Sequence, residues 1–319
     1  MAPHNRRGPT DIITNNVQGS IMLKGLALTP PVIGRISIGK VVEKNGKRLP
    51  EKDDEFTLTS QVQNKDGWVP HPLNDTLRQA NTKLRHIPVR LLFDDPDLNM
   101  RASYSLFDRQ TGRPLCVGNG ETCRRSTISG IQSMPCPAPE GCELAEKGCK
   151  PFGRLNVRVG DDDELSAFVF RTTGFNSIRT LATRLRYFHA VSGGLLSTLP
   201  LELRLRGKST TQSHRAAIYY VDLTLRSGMS MQDGLNQARA DWDARKASGF
   251  DQAALDAAAR QSLGEGVFEE SAEDGATVVE EFFPEEDGNS TTRGMDQLRT
   301  GKLDLAAKLA GKLAGAPMS

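Results

Sequence analysis

The 319-residue chain has no run near the roughly 18 consecutive apolar residues of a membrane-crossing helix, which excludes a bilayer span of that kind. It also lacks the charged, then apolar, then small-residue opening of a secretory leader, so a cytoplasmic location is expected. The signatures of nucleotide and hydrolase sites are missing: there is no GxxxxGK(S/T), no GxSxG, no HExxH, and no GxGxxG following a strand. His71, His86, His189 and His214 are scattered singly, without the neighbours a general base or a metal ligand needs. Nor is there the strong positive charge of a dedicated DNA-binding domain, since the net charge is only +2. That total hides a division: residues 1–84 carry +4, residues 85–230 carry +6 and residues 231–319 carry −8. The body is basic and the tail acidic.

Cysteine is absent everywhere except residues 116–149, which hold all five: Cys116, Cys123, Cys136, Cys142 and Cys149. The last three lie in a Pro/Gly-rich run, MPCPAPEGCELAEKGCKPFGRL, that suits neither helix nor strand. Disulfides do not fit an odd count in a chain large enough to build its own core. A catalytic thiol would need a partner histidine or a basic pocket, and no such signature surrounds any of the five. Zinc fits best, because soft thiolates at about 2.3 Å brace irregular loops that hydrogen bonds alone leave loose. Cys136, Cys142 and Cys149 are expected as three ligands. Cys116, at the end of a hairpin strand, is favoured as the fourth over Cys123, which falls in the polar GNGETCRR stretch. A closed four-thiolate site would fold the protein rather than catalyse. A metallohydrolase would need an open coordination position, with Glu140, Glu143 and Glu146 as the local carboxylates.

Periodicity places the remaining elements. Strands are expected around Ile36 and Ile38, turning at Asn45-Gly46, and from Phe56. NDTLRQANTKLRH has helical content, and HIPVRLLF and RASYSLFD read as strands. Leu155, Val157 and Val159 alternate with Arg154 and Arg158, and LSAFVFRT follows after an acidic turn. A helix then carries Ile178, Leu181, Leu185 and Phe188 on one face, capped at Asn176 or Ser177 and ended by Gly193-Gly194. Leu201, Leu203 and Leu205 should face inward in the next strand. The expected fold is α+β: a mainly antiparallel sheet with one long helix packed on it, a zinc-braced loop and a helical to disordered acidic tail. Residues 1–29 form a flexible arm, 30–230 the zinc-containing core, 231–263 a helical segment, and 264–319 an acidic, largely disordered tail with a short amphipathic end. Arg154, Arg158, Arg179, Arg186, Arg204, Arg206 and Lys208 would make a stripe able to contact phosphates or a protein partner if outward positions on neighbouring elements align.

The order Cys116, CPAPEGCELAEKGCKPFGRLNVRV, FVFRTTGFNSIRTLATRLRYF and LELRLRGKSTTQSH with AIYYVDLTL resembles the recombination directionality factors of actinophages that use large serine integrases. The resemblance covers about residues 30–226, and its most specific parts are 149–155 and 173–177. It implies a non-catalytic accessory protein of a mobile element that binds a serine integrase and biases it toward excision. It carries Cys116, Cys136, Cys142 and Cys149 over as zinc ligands. Related plasmid and conjugative-element chains, labelled hydrolase or metal-binding protein, imply two alternatives: a nucleic-acid-binding role in transfer or replication, and a metal-dependent hydrolase.

Overall fold

The computed structural model describes residues 28, 31–44, 47–65, 67–78, 82–162, 166–209, 211, 215–263, 275, 278–279 and 282–283. The expected N-terminal arm apart from Leu28, the Asn45-Gly46 turn and the amphipathic end lie outside them. Among the described residues no helix is long and apolar enough to cross a membrane.

In chain order the strands are β1 (Val32–Lys44), β2 (Lys47–Asn64), β3 (Gly67–Pro70), β4 (His86–Arg90), β5 (Met100–Phe107), β6 (Pro114–Gly118), β7 (Thr122–Thr127), β8 (Gly130–Pro135), β9 (Lys150–Val159), β10 (Ala167–Thr172), β11 (Leu201–Ser209) and β12 (Ala217–Leu225). Three short helical turns, α1 (Pro72–Thr76), α2 (Pro96–Asn99) and α3 (Ala138–Gly141), interrupt the first nine. Three longer helices follow: α4 (Phe175–Ser192), α5 (Met231–Ala247) and α6 (Gln252–Leu263). The strands form one 12-stranded sheet whose main path runs β3-β2-β1-β10-β9-β5-β6-β7-β8. A branch leaves the far end of β9, where Val89 of β4 pairs with Val159, and continues through β11 to β12. Every pairing is antiparallel except β1 with β10. The α+β expectation therefore holds, with several helices rather than one.

The core forms because β9 and β10 alternate. Leu155, Val157, Phe168 and Phe170 point to one face with Ile36, Phe56 and Leu58, and α4 covers them with Ile178, Leu181, Leu185 and Phe188. Leu201, Leu203, Leu205, Val221 and Leu223 complete the cluster from the branch. Each such side chain contributes about 1.5–3 kcal/mol on leaving water. Gly193 ends α4 in the left-handed region at φ 69°, as expected from the Gly-Gly pair. The N-cap differs: Gly174 occupies it without a side-chain bond, and Ser177 is instead buried, its Oγ accepting the Val221 N–H at 3.1 Å. Among the described residues the helix expected from Asn74 onward is seen only as α1, whose start is capped by His71 Nδ1 accepting the Leu73 N–H. Pro72 fits the first turn, and Leu84 is already buried in the core ahead of β4.

The segment after residue 230 is helical over Met231–Ala247 and Gln252–Leu263, and it packs on the sheet-bearing body. Ala238 of α5 joins the main core, and Ala259 of α6 packs with Leu92, Phe93, Leu98 and Ala167. Asp256 accepts the N–H groups of Asp94 and Asp95, both at 3.0 Å. These helices belong to the body. Within the stretch expected to be disordered, Val278 and Phe282 are wholly buried against Phe107 and Phe152.

Leu181 has no exposed surface, so Leu181→Ala is expected to lower the unfolding free energy by about 2–5 kcal/mol. Arg179→Ala, on the exposed side of the same helix, should stay within about 0.5 kcal/mol. Urea denaturation measures both, and equal losses would contradict the packing of α4.

Candidate functional site

The β6-β7-β8 meander extends the sheet beyond β5 and presents one face to the thiols. Asn119 closes the first turn, its Oδ1 accepting the N–H groups of Glu121 and Thr122 at 2.8 Å each. Register then places Cys116 opposite Arg125, Gly118 opposite Cys123, and Cys123 opposite Met134. The Cys136 N–H donates to the Glu121 carbonyl at 2.8 Å, which returns the chain to the start of β7. A Cβ at Gly118 would lie 2.7 Å from Cys136 Sγ and 2.7 Å from Cys123 Cβ. Glycine is what leaves room for the sulfurs.

Loop 137–149 folds over this face. It contains α3 and a single 3-10 turn, Glu143–Ala145, whose buried Leu144 packs in one cluster with the thiols and Leu106. The Cys149 N–H donates back to the Leu144 carbonyl at 3.0 Å, through Gly148 at φ 103°. Ala138 takes a positive φ of 57°, which costs about 1–2 kcal/mol for a residue with a Cβ. The result is one cluster: Cys116, Cys123, Cys136, Leu106 and Leu144 are buried, and Cys142, Cys149 and Met134 pack against them.

All four expected ligands therefore converge, and Cys123 joins them. Cys123 lies on a strand and not in a polar turn. Reading TCRRSTISGIQSMP as a hairpin about Gly130 would have turned it to the same side as Cys116. Arg125, two residues on, is the other group missed. Its Nη2 lies 3.9 Å from Cys142 Sγ, and its hydrogen bond to Cys116 raises its pKa. Glu140, Glu143 and Glu146 are exposed, with Glu143 3.5 Å from Arg125.

Burial pushes the Cys149 thiol up to about 12 and the Cys123 thiol up to about 11, with the neighbouring cysteines adding to both. The donors suit a soft metal ion in chemistry, since five sulfurs share one cluster. Their arrangement does not yet do so: among the described residues no group of three or more His, Cys, Asp or Glu side chains is placed to hold a metal.

The basic residues expected as one stripe divide among three elements. Arg154 and Arg158 lie on β9, on the sheet face away from α4, and Arg158 is buried with its backbone paired to Arg90. Arg179 and Arg186 are on exposed positions of α4, Arg186 being 3.8 Å from Asp97. Arg204 donates to Glu202 at 2.5 Å, Arg206 to Asp222 at 2.6 Å, and Lys208 to Asn176 at 2.7 Å. Glu202 and Asp222 are themselves buried, so their arginines are held as counter-ions. Arg204 and Glu202 share one face of β11, whereas the Arg206–Asp222 and Lys208–Asn176 pairs cross elements and could not be read from alternation along one strand.

Residues 33–226 match the model of the Gp3-like family, described as recombination directionality factor-like. No curated protein and no solved structure matches the chain.

Raised thiol pKa values stabilise the metal-free fold below about pH 8.5, where an unfolded cysteine is still protonated. That contribution is lost as pH rises toward the folded values. The melting temperature of metal-stripped protein is thus expected to fall between about pH 8.5 and 11, and the Cys123→Ser, Cys149→Ser double variant should show a shallower fall. Identical slopes would deny the thiols this role. Gly118→Ala is expected to cost about 1–3 kcal/mol through overpacking, read in the same melts.

Proposed function

Since the chain belongs to the recombination directionality factor-like family over residues 33–226, we propose that it is a non-catalytic accessory protein that binds a serine integrase and biases it toward excision. The observation that carries this reading is the extent of the match. It begins within β1 and ends one residue past β12, and so takes in the whole sheet together with the thiol cluster. A directionality factor needs only a different affinity for two recombinase–DNA states. A coupling of about 1–3 kcal/mol changes their ratio roughly 5–150-fold. A stiff surface supplies that difference without a reacting group.

Stiffness at the β6-β8 end is where zinc enters the proposal. Cys116, Cys136, Cys142 and Cys149 would hold the ion, with Cys123 the alternative to Cys116. Bound zinc would supply a cross-link among thiolates and no open position for chemistry. This chain's own residues do the rest: Gly118 leaves the space, Leu144 excludes water, and Arg125 offsets part of the negative charge of four thiolates. The cytoplasm, where thiols stay reduced, suits such a site.

Recombination assays with the serine integrase of the same element test the function. Added protein is expected to stimulate recombination between the two hybrid sites of the integrated element and to suppress the integrative reaction. No change in either direction, together with no complex in a pull-down, would sink the reading. Elemental analysis of native protein is expected to find about one zinc per chain. Cys136→Ser should lose it and open the loop to proteolysis; a native chain free of metal would remove zinc from the proposal and leave the family role to stand separately.

A further inference from the structure

The sheet face away from α4 carries a second site. Lys150, Phe152 and Arg154 succeed one another at every other position of β9 and so share that face. Phe107 of β5 meets Phe152 edge to face, with ring centres 5.2 Å apart. Into this apolar groove the acidic tail places Val278 and Phe282, both wholly buried, on a helical turn closed by the Phe283 N–H donating to the Val279 carbonyl at 2.8 Å. Cations cover the rings: Lys150 Nζ is 4.6 Å from the Phe282 centre, and the Arg109 guanidinium is 4.6 Å from that of Phe283.

The body is shaped for this contact. Gly112, at φ 68°, lies so close to Gly275 that a Cβ would meet its carbonyl oxygen at 2.2 Å, and a Cβ on Gly275 would meet the Thr111 carbonyl at 2.8 Å. Gly148 leaves similar room for Phe283. Beside the groove the register puts Arg101 opposite Arg154 and Arg154 opposite Arg171. Like charges directly opposed across strands are unfavourable. Arg101 is half-buried, its Nε has no hydrogen-bond partner among the described residues, and burial alone lowers its pKa. The three guanidinium groups make this rim of the groove complementary in charge to an acidic segment. The tail's own sequence, TVVEEFFPEED, combines aromatic anchors with five acidic residues.

We propose that this groove and its arginine row are a docking site for a short acidic helical segment with paired aromatic side chains on a protein partner, and that the chain's own tail is its resident competitor. The partner would seat its aromatics against Phe107 and Phe152, where Phe282 now lies, and lay its carboxylates along Arg101, Arg154 and Arg171. It must displace the tail, so cis occupancy sets a threshold for binding. Such docking is independent of any role in recombination.

A labelled synthetic peptide of residues 272–290 serves as the probe, followed by fluorescence anisotropy against the full chain. Wild type is expected to bind it weakly. The full-length Gly275→Val, Phe282→Ala, Phe283→Ala variant should bind it at least about tenfold more tightly, as when occupancy leaves roughly one groove in ten open. Adding Lys150→Glu and Arg101→Gln should abolish the gain, and a peptide with glutamines for its glutamates should bind less well. Far-ultraviolet circular dichroism and melting of every variant exclude unfolding as the cause. Equal peptide binding by wild type and tail variant would overturn the proposal. So would salt-dependent duplex DNA binding gained by the tail variant without peptide binding, which would mark a phosphate surface, or a wild-type dimer that the tail substitutions dissolve, which would make the occupant a second copy.

Discussion

Strand β9 is the constraint on which the other features depend. It pairs with β10 on one side and with β5 and then β4 on the other, so both parts of the sheet are hydrogen-bonded to it. Its two-residue period separates the molecule's tasks: Leu155, Val157 and Val159 enter the main core, while Phe152 and Arg154 face the opposite way. A slip of one residue would exchange these sets, placing arginines under α4 and leucine on the outer face. The wide apolar contact with α4 makes that exchange unaffordable, which is why the position of Arg154 beside Arg101 and Arg171 is as firmly determined as the core.

The thiol cluster and the tail groove lie back to back for the same reason. Leu106 and Phe107 are consecutive residues of β5, yet Leu106 packs with the cysteines and Phe107 with Val278 and Phe282. Cys149 and Lys150 divide in the same manner, sulfur to one face and ammonium over Phe282 on the other. Gly148 touches both, since a Cβ there would sit 3.3 Å from Phe283 and 3.9 Å from Leu106. Any event that reshapes the loop carrying Cys142 and Cys149 therefore acts on the backbone that frames the groove.

Local signals made much of this legible. The alternation of 154–159, the 3.6-residue spacing of Ile178, Leu181, Leu185 and Phe188, and the stop at Gly193 each express a short-range rule, and each appears where those rules put it. The cysteine loop was legible as a convergence point because proline and glycine rule out the regular alternatives. What escaped was long-range. Nothing near β1 announces a parallel partner about 134 residues away, and nothing in HIPVR shows that it bridges β9 to β11. Cys123 was hidden because its polar neighbours Thr122, Arg124 and Arg125 disguise a strand whose other face is solvated.

The burial of Val278 and Phe282 escaped for a related physical reason. Composition averages over a window, and residues 264–287 are acidic enough to look unable to bury surface. Docking needs far less than a core: two phenylalanines and a valine in a ready groove, with cations placed to receive their rings, offset the ordering of one helical turn. Each buried aromatic contributes a few kcal/mol at most, against about 1–2 kcal/mol for each backbone residue fixed. The balance is close to even, and that near-equality distinguishes a segment that can be exchanged from one that is simply folded.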